Sequence, residues 1–371
     1  MGESEDQIEP VSLARPEEVK EIFKPEKVCF VTAVDYPGWL PGGEESESVV
    51  RGTLALNTFR NFLELGTNVV LVHSGRTSKS FLESIRQYGL ETPPHEVRDK
   101  KGELVLFKQK DRGISGARRE GVLGALNIPG VEVIVMTEPE KVSLSERKNL
   151  IKLVEPVLTG EADIVIPDRG VRVNLKKKNL DEVNKEEDLR GYPPYQAYSE
   201  ARFNLLVHKH ILVPEGLRGE NEEILDLIGS PSVFNKNLAP LFLIKWKTRE
   251  EGKGVFDSRS GVLPSVEPSA YLSFLAPVIL ALSLGRKVRS VPILYRHPQE
   301  QTRFEEGSIF YRKKRWQRLH GILPEFAEVA RFVREVKRGG VSLEDVLTGK
   351  VSVDRLDLSP KVRLVPKITT D

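Results

Sequence analysis

Residues 27–34, Lys27-Val28-Cys29-Phe30-Val31-Thr32-Ala33-Val34, make an apolar run that stops abruptly at Asp35-Tyr36-Pro37-Gly38. A run of this kind, rich in β-branched residues and closed by turn formers, fits a strand covered on both faces, as in a parallel sheet. The period then changes. Val50, Leu54, Leu56, Phe59, Phe62 and Leu63 recur at helical spacing up to Gly66, and Asn68-Val69-Val70-Leu71-Val72 repeats the apolar run. Strand, helix and strand in that order make a βαβ unit, whose crossover lays a helix on one face of the sheet.

The alternation continues. Helices are expected over 78–88, 113–126 and 143–158, and strands over 104–107, 131–136 and 162–167. Strands separated by helices predict an α/β fold, a mainly parallel sheet covered by helices on both faces, with ligands at the carboxyl ends of the strands. After Arg169 the pattern breaks. Residues 176–190 are densely charged, and Gly191-Tyr192-Pro193-Pro194-Tyr195-Gln196 forms a rigid turn before a helix near Ser199. We read 176–195 either as a mobile segment between two halves that orders when ligand binds and excludes water or, equally, as a plain solvent-exposed linker. Farther on, an apolar helix is expected over 271–285, a strand over 290–294 and an amphipathic helix over 325–337. The divisions are an N-terminal extension (1–26), a first half (27–170), an acceptor-side second half (171–323) and a C-terminal helix and tail (324–371).

Composition narrows the function classes. Hydrophobic residues at 39% and charged residues at 30% exclude both a wholly disordered chain and a protein of several membrane spans. The longest nearly uncharged stretch, 271–285, is shorter than the roughly 20 residues a spanning helix needs. Lys plus Arg number 56 against 54 acids, so the net charge of +2 creates no global field for nucleic acid, and any anion site is local. Cys29 is the sole cysteine, which excludes an intramolecular disulfide and a cysteine zinc cluster and reads as a small buried hydrophobe. With an acidic Met1-Gly2-Glu3-Ser4-Glu5-Asp6 start and no apolar leader, a cytoplasmic location is expected.

Two segments carry chemistry. In Glu132-Val133-Ile134-Val135-Met136-Thr137-Glu138-Pro139-Glu140, a strand delivers two carboxylates to its carboxyl end, where they suit Mg²⁺ or Mn²⁺ shared with a diphosphate. The other reading is a charged surface turn. In Lys108-Gln109-Lys110-Asp111-Arg112-Gly113-Ile114-Ser115-Gly116-Ala117-Arg118, glycines leave backbone N–H groups open before a helix N-terminus, beside basic side chains, which suits a phosphate. An ordinary glycine turn is the alternative. It is neither a Walker loop nor a dinucleotide fingerprint, because the Gly-Lys-Ser/Thr ending and the glycine spacing are absent.

Taken together, these segments resemble the nucleotide-diphospho-sugar glycosyltransferases of the Rossmann-like GT-A fold (glycosyltransferase family 2-like). Gly113-Ile114-Ser115-Gly116-Ala117-Arg118 is similar to that family's helix-opening segment, Glu138-Pro139-Glu140 stands where it carries Asp-x-Asp, and residues 162–169 resemble its next strand ending in a polar pair. The resemblance implies that Asp35, Gly113, Ser115, Gly116, Arg118, Asp168 and Arg169 bind the substrate and that Glu138, Glu140 and His297 hold the metal. The last of these follows the strand ending Ile293-Leu294-Tyr295-Arg296 and equally suits a hydrogen-bonded loop residue. Arg312-Lys313-Lys314-Arg315-Trp316-Gln317-Arg318 reads as a solvated helix face or a diphosphate clamp. Glu200 and Asp257 are candidate catalytic carboxylates, with Glu267 a further base candidate; Glu200 and Asn204 share a helix face, where capping and packing serve equally well.

The implied activity is transfer of a sugar from a nucleotide diphosphate sugar to a small or phosphorylated acceptor, metal-assisted. A sugar nucleotidyltransferase is the alternative enzyme, although Pro41-Gly42-Gly43-Glu44 lacks the basic residue expected after its first strand. A non-catalytic binding protein of the same fold is the third.

Overall fold

The structure, a computed structural model, describes residues 23–44, 46–91, 102–111, 113–169, 194–217, 224–229, 232–248, 272–305, 309–358, 362 and 364–367. Strand β1 (Val28–Val34) lies inside the sheet, paired along both edges. Its side chains alternate as a pleat requires: Cys29 and Val31 enter one core, Val28, Phe30 and Val34 the other. Both faces being covered explains why the run reads as continuously apolar rather than alternating.

The first half follows the expected alternation. Helix α1 (Glu47–Glu64), capped by the Ser46 side chain, leads to β2 (Asn68–His73), and α2 (Lys79–Glu91) leads to β3 (Leu104–Lys108). Next come α3 (Gly113–Leu126), β4 (Val133–Met136), α4 (Arg147–Leu158) and β5 (Ile164–Asp168). The helix expected from 143 starts four residues later, because 142–144 form a 3₁₀ turn.

Beyond it lie α5 (Pro194–Val207), β6 (Ser232–Asn235), α6 (Ala239–Leu243), β7 (Lys245–Thr248), α7 (Leu272–Ser283) and β8 (Val288–Pro292). The chain continues through α8 (Gln299–Glu305), α9 (Ile309–Arg338), α10 (Leu343–Leu347) and β9 (Leu364–Lys367). Residues 176–193, on which the mobile-segment expectation falls, lie outside the described residues, while Pro194 and Tyr195 open α5.

Seven strands form one sheet in the order β3-β2-β1-β4-β6-β5-β8. All pairings are parallel except those of β6, which is antiparallel to β4 and β5. The expected α/β fold, mainly parallel with helices on both faces, is what the chain adopts. Strands β6 and β8 come from beyond residue 170 yet complete the same sheet, so the two halves share a core. The division at 323/324 falls inside α9, which runs through Pro324 as one helix.

One face is covered by α1, α2 and α4, with Phe30 stacked on Phe62 at a centroid distance of 4.2 Å. The other is covered by α3, α5, α7 and α9. Helix α3 lies close against β1: a Cβ added at Gly121 would sit 2.5 Å from Val31 Cγ1, far inside van der Waals contact. Gly121→Val therefore overpacks the core and is expected to cost about 1–3 kcal/mol in urea unfolding. A cost within experimental error would contradict this close approach.

Candidate active-site cleft

Strands β1, β2 and β3 run in the same direction, so their carboxyl ends share one edge of the sheet. A cleft of about 510 Å³ opens there. Its wall comprises Asp35 after β1, Ser74, Gly75 and Arg76 after β2, Gln109, Lys110 and Asp111 after β3, and Gly113, Ile114 and Ala117 on the first turns of α3. Gly113 has a left-handed φ of 73°, which only a glycine adopts without strain and which turns the chain into α3.

The cleft carries both signs of charge on a largely apolar lining. The Asp35 carboxylate accepts from Ser74 Oγ at 2.6 Å and from the Arg76 guanidinium. Ser74 Oγ in turn accepts from the Arg76 amide at 3.1 Å, so the loop after β2 is folded onto the end of β1. Across the cleft, Asp111 accepts from Arg119 at 2.6 Å and from Lys245 at 3.2 Å. Burial works against its charge, but these two hydrogen bonds outweigh it and hold the carboxyl below the usual carboxylate range. Lys110 is exposed on the wall.

Asp35 and Gly113 both line this cleft. Ser115 is on the first turn of α3, and Gly116 is buried against Asp111, where a Cβ would come within 2.9 Å. Arg118 is a correction. Its guanidinium lies 3.5 Å over the centroid of the Phe274 ring, Nη1 donates to Ser273 Oγ at 3.1 Å, and it does not line the cleft. It binds α3 to α7, by a partly desolvated cation–π contact. Arg118→Ala is therefore expected to lower the melting temperature while leaving nucleotide affinity unchanged, measured by calorimetry on the same preparation. Upstream of the glycines, Lys110 N–H, at 2.9 Å, and Asp111 N–H both donate to the Glu120 carboxylate.

The Glu138-Pro139-Glu140 turn follows β4; Pro139 and Glu140 are buried, whereas the Glu138 side chain is 36% exposed. Glu140 Oε1 accepts from Tyr36 Oη at 2.8 Å and from Arg51 Nε at 2.9 Å, with Arg51 Nη2 at 2.8 Å. Burial first, and then the Glu140 charge, hold the Tyr36 hydroxyl well above the usual phenol range, so it stays a donor. Glu138 faces Lys141, whose Nζ is 3.6 Å away and 5.6 Å above the Tyr295 ring. Burial opposes the Lys141 charge, but Tyr295 and Glu138 more than offset it and raise its pKa.

Among the described residues, no group of three or more His, Cys, Asp or Glu side chains is placed to hold a metal ion. Glu138 and Glu140 each have a protein cation, and His297 is buried with its Nδ1 3.1 Å from Thr302 Oγ1. With these partners in place, the three residues offer no preformed site for the expected Mg²⁺ or Mn²⁺.

Arg169 leads out of β5 into a buried ionic cluster. Its guanidinium donates to Glu200 at 2.9 Å and to Asp226 at 2.7 and 2.8 Å, and Asn204 Nδ2 donates to Asp226 at 2.9 Å. The Arg169 and Glu200 side chains are each 1% exposed. Glu200 is thus an ion-pair partner rather than an accessible base, and Arg169 holds α5 rather than a ligand. Asp168, preceding Arg169, ends β5 beside Pro292 and is half-buried. Asp257 and Glu267 lie outside the described residues, and Arg312 to Arg318 fall in the first turns of α9.

Sequence reasoning missed Tyr36, Arg51, Ser74, Arg76, Lys141 and Asp226. Ser74 and Arg76 follow the carboxyl end of a recognised strand, a signal sufficient to find them. Arg51 meets Glu140 across 89 positions and Arg169 meets Asp226 across 57, and nothing local marks either pairing.

No family model matches the chain, and no curated protein matches it. Among solved structures, Staphylococcus aureus TarS, residues 1–349, is similar over 88% of this chain and 76% of that one, with 11% identity and a TM-score of 0.35. The same TarS segment in complex with UDP gives 13% identity and a TM-score of 0.34 over the same shares. A Desulfovibrio desulfuricans G20 protein named for nucleotide-diphospho-sugar transfer is 11% identical over 83% of this chain and 98% of its own, with a TM-score of 0.33. Likeness at that level bears on no residue of the cleft. No helix among the described residues is long and apolar enough to cross a membrane.

Proposed function

We propose that this chain is a glycosyltransferase that takes a nucleotide diphosphate sugar into the cleft at the carboxyl ends of β1, β2 and β3. One observation carries the reading: three parallel strands end at a cleft, opened by a glycine at the start of α3 and walled by Arg76 and Lys110 beside Asp35 and Asp111. Ligands of open α/β sheets bind at this edge, and the cleft volume falls within the roughly 300–1,000 Å³ of small-molecule sites. The carboxylates suit the hydroxyl and N–H donors of a nucleoside, and the two cations suit a diphosphate. The sequence resemblance over residues 27–170 supports the same donor class.

In the reaction, the acceptor hydroxyl oxygen bonds to the anomeric carbon as the bond from that carbon to the diphosphate oxygen breaks. The electron pair leaves with the nucleoside diphosphate, and the hydroxyl proton passes to a base or to water. Cations on the cleft wall act where negative charge develops on the leaving group, which is where electrostatic stabilisation accelerates such a step. The acceptor, a small or phosphorylated molecule, approaches from the side of the second half.

Isothermal titration with UDP-, GDP- and ADP-sugars tests the donor class. Saturable binding of one of them, with release of its nucleoside diphosphate on adding acceptor mixtures, is the expected result. Absence of binding by all three overturns the reading.

A further inference from the structure

We propose that the cleft binds its nucleotide diphosphate without a divalent cation, and that Glu138 and Glu140 serve as internal counter-ions of Lys141 and Arg51. The first part rests on the donor class proposed above; the second stands on the geometry of the turn alone.

Three contacts converge on one oxygen. Tyr36, from the loop after β1, and both Nε and Nη2 of Arg51, from α1, lie within 2.9 Å of Glu140 Oε1. The Glu140 side chain is 4% exposed, so water screens little of this charge. A divalent cation approaching the carboxylate meets the Arg51 guanidinium, 40% exposed, already beside it and has to displace it. The second carboxylate is matched too, by the buried Lys141 3.6 Å from Glu138. Both carboxylates already have a protein cation, Arg51 being shared with Glu47 at 3.3 Å, so a magnesium ion, which takes one or two carboxylates beside a diphosphate, would have to displace them.

The turn has another use for its carboxylates. Glu140 ties the loop after β4 to the loop after β1 and to α1, and Thr32 Oγ1 strengthens the same junction by donating to the Thr137 carbonyl at 2.9 Å. The loop after β1 carries Asp35, which lines the cleft. Tyr36 and Arg51 are thus positioning residues: they act on the cleft through the backbone beside Asp35. The charge of a diphosphate is left to Arg76 and Lys110, both exposed on the cleft wall.

The test uses the full chain stripped of metal. Mn²⁺ alone is titrated and free ion counted by electron paramagnetic resonance; no stoichiometric binding is expected. UDP, GDP and ADP are titrated in EDTA and again in excess Mg²⁺, and the dissociation constant of the nucleotide that binds is expected to agree within about threefold between the two. Glu140→Gln is expected to lower the melting temperature without creating a dependence on Mg²⁺. Stoichiometric Mn²⁺ that disappears in Glu140→Gln, or an affinity about tenfold or more higher with Mg²⁺, overturns the proposal while upholding the nucleotide site. If no nucleotide binds in either buffer, the donor reading and metal-free binding fail together, and the Mn²⁺ titration alone decides whether the turn is a counter-ion pair.

Discussion

Arg169→Ala is expected to cost about 3–5 kcal/mol of stability, because removing one member of a buried ionic cluster leaves the others as uncompensated charges. Two carboxylates depend on this guanidinium, Glu200 at 2.9 Å and Asp226 at 2.7 Å, and their side chains are 1% and 7% exposed. Asn204 still donates to Asp226 and receives the Leu227 amide at 3.1 Å, but it carries no charge to replace the arginine. The cluster joins the end of β5 to α5 and to the segment around Asp226, so its loss loosens the second half where it meets the sheet. Replacing all three together, by Arg169→Met with Glu200→Gln and Asp226→Asn, should cost less than the single change, since no unpaired charge remains. Urea unfolding at neutral pH measures both. A single-variant cost below about 1 kcal/mol, in the range of an exposed ion pair, would show that water reaches the cluster.

The second large effect concerns affinity. Arg76→Ala combined with Lys110→Ala is expected to weaken binding of a nucleoside diphosphate by about 100-fold or more, since each lost charge-assisted contact costs about 1.5–3 kcal/mol. Binding of the uncharged nucleoside should change far less. Arg76 has a further role, because it holds the Asp35 carboxylate, so Arg76→Ala alone should also alter how Asp35 meets the ligand. The Arg76 side chain is 76% exposed, and its removal should leave the melting temperature nearly unchanged. Equal loss for nucleoside and diphosphate would contradict a phosphate role for the pair.

The first half of the fold was readable because its signals are local. Apolar runs such as 68–72, helical spacing such as Phe59 with Phe62, and stops such as Gly66 give β2 and α1 within a residue or two of their ends. Strand β6 was not readable: four residues, Ser232-Val233-Phe234-Asn235, carry too little periodicity, and their strand state comes from hydrogen bonding between β4 and β5. Helix α9 was read from its amphipathic end over 325–337, whereas the basic stretch before it has no apolar stripe to mark a helix.

The site divided in the same way. Asp35 and Gly113 line the cleft, and their position at a strand end or before a helix is the signal that singled them out. Arg118 and Glu140 were read as ligand groups because charge beside a glycine loop or a strand end suggests an anion or a metal. Their true partners, Phe274 for Arg118 and Arg51 with Tyr36 for Glu140, are distant in sequence and take up the charge inside the protein. Long-range pairing, rather than residue type, decides whether a buried charge is available to a ligand.

Hydrogen exchange with and without the nucleotide sugar that binds tests the cleft assignment most directly. The account predicts added protection in the three loops that meet there, around Asp35, over Ser74 to Arg76, and from Gln109 into the first turns of α3, with little change near the Arg169 cluster. Protection confined to other segments, or none at saturating ligand in these loops, would contradict it.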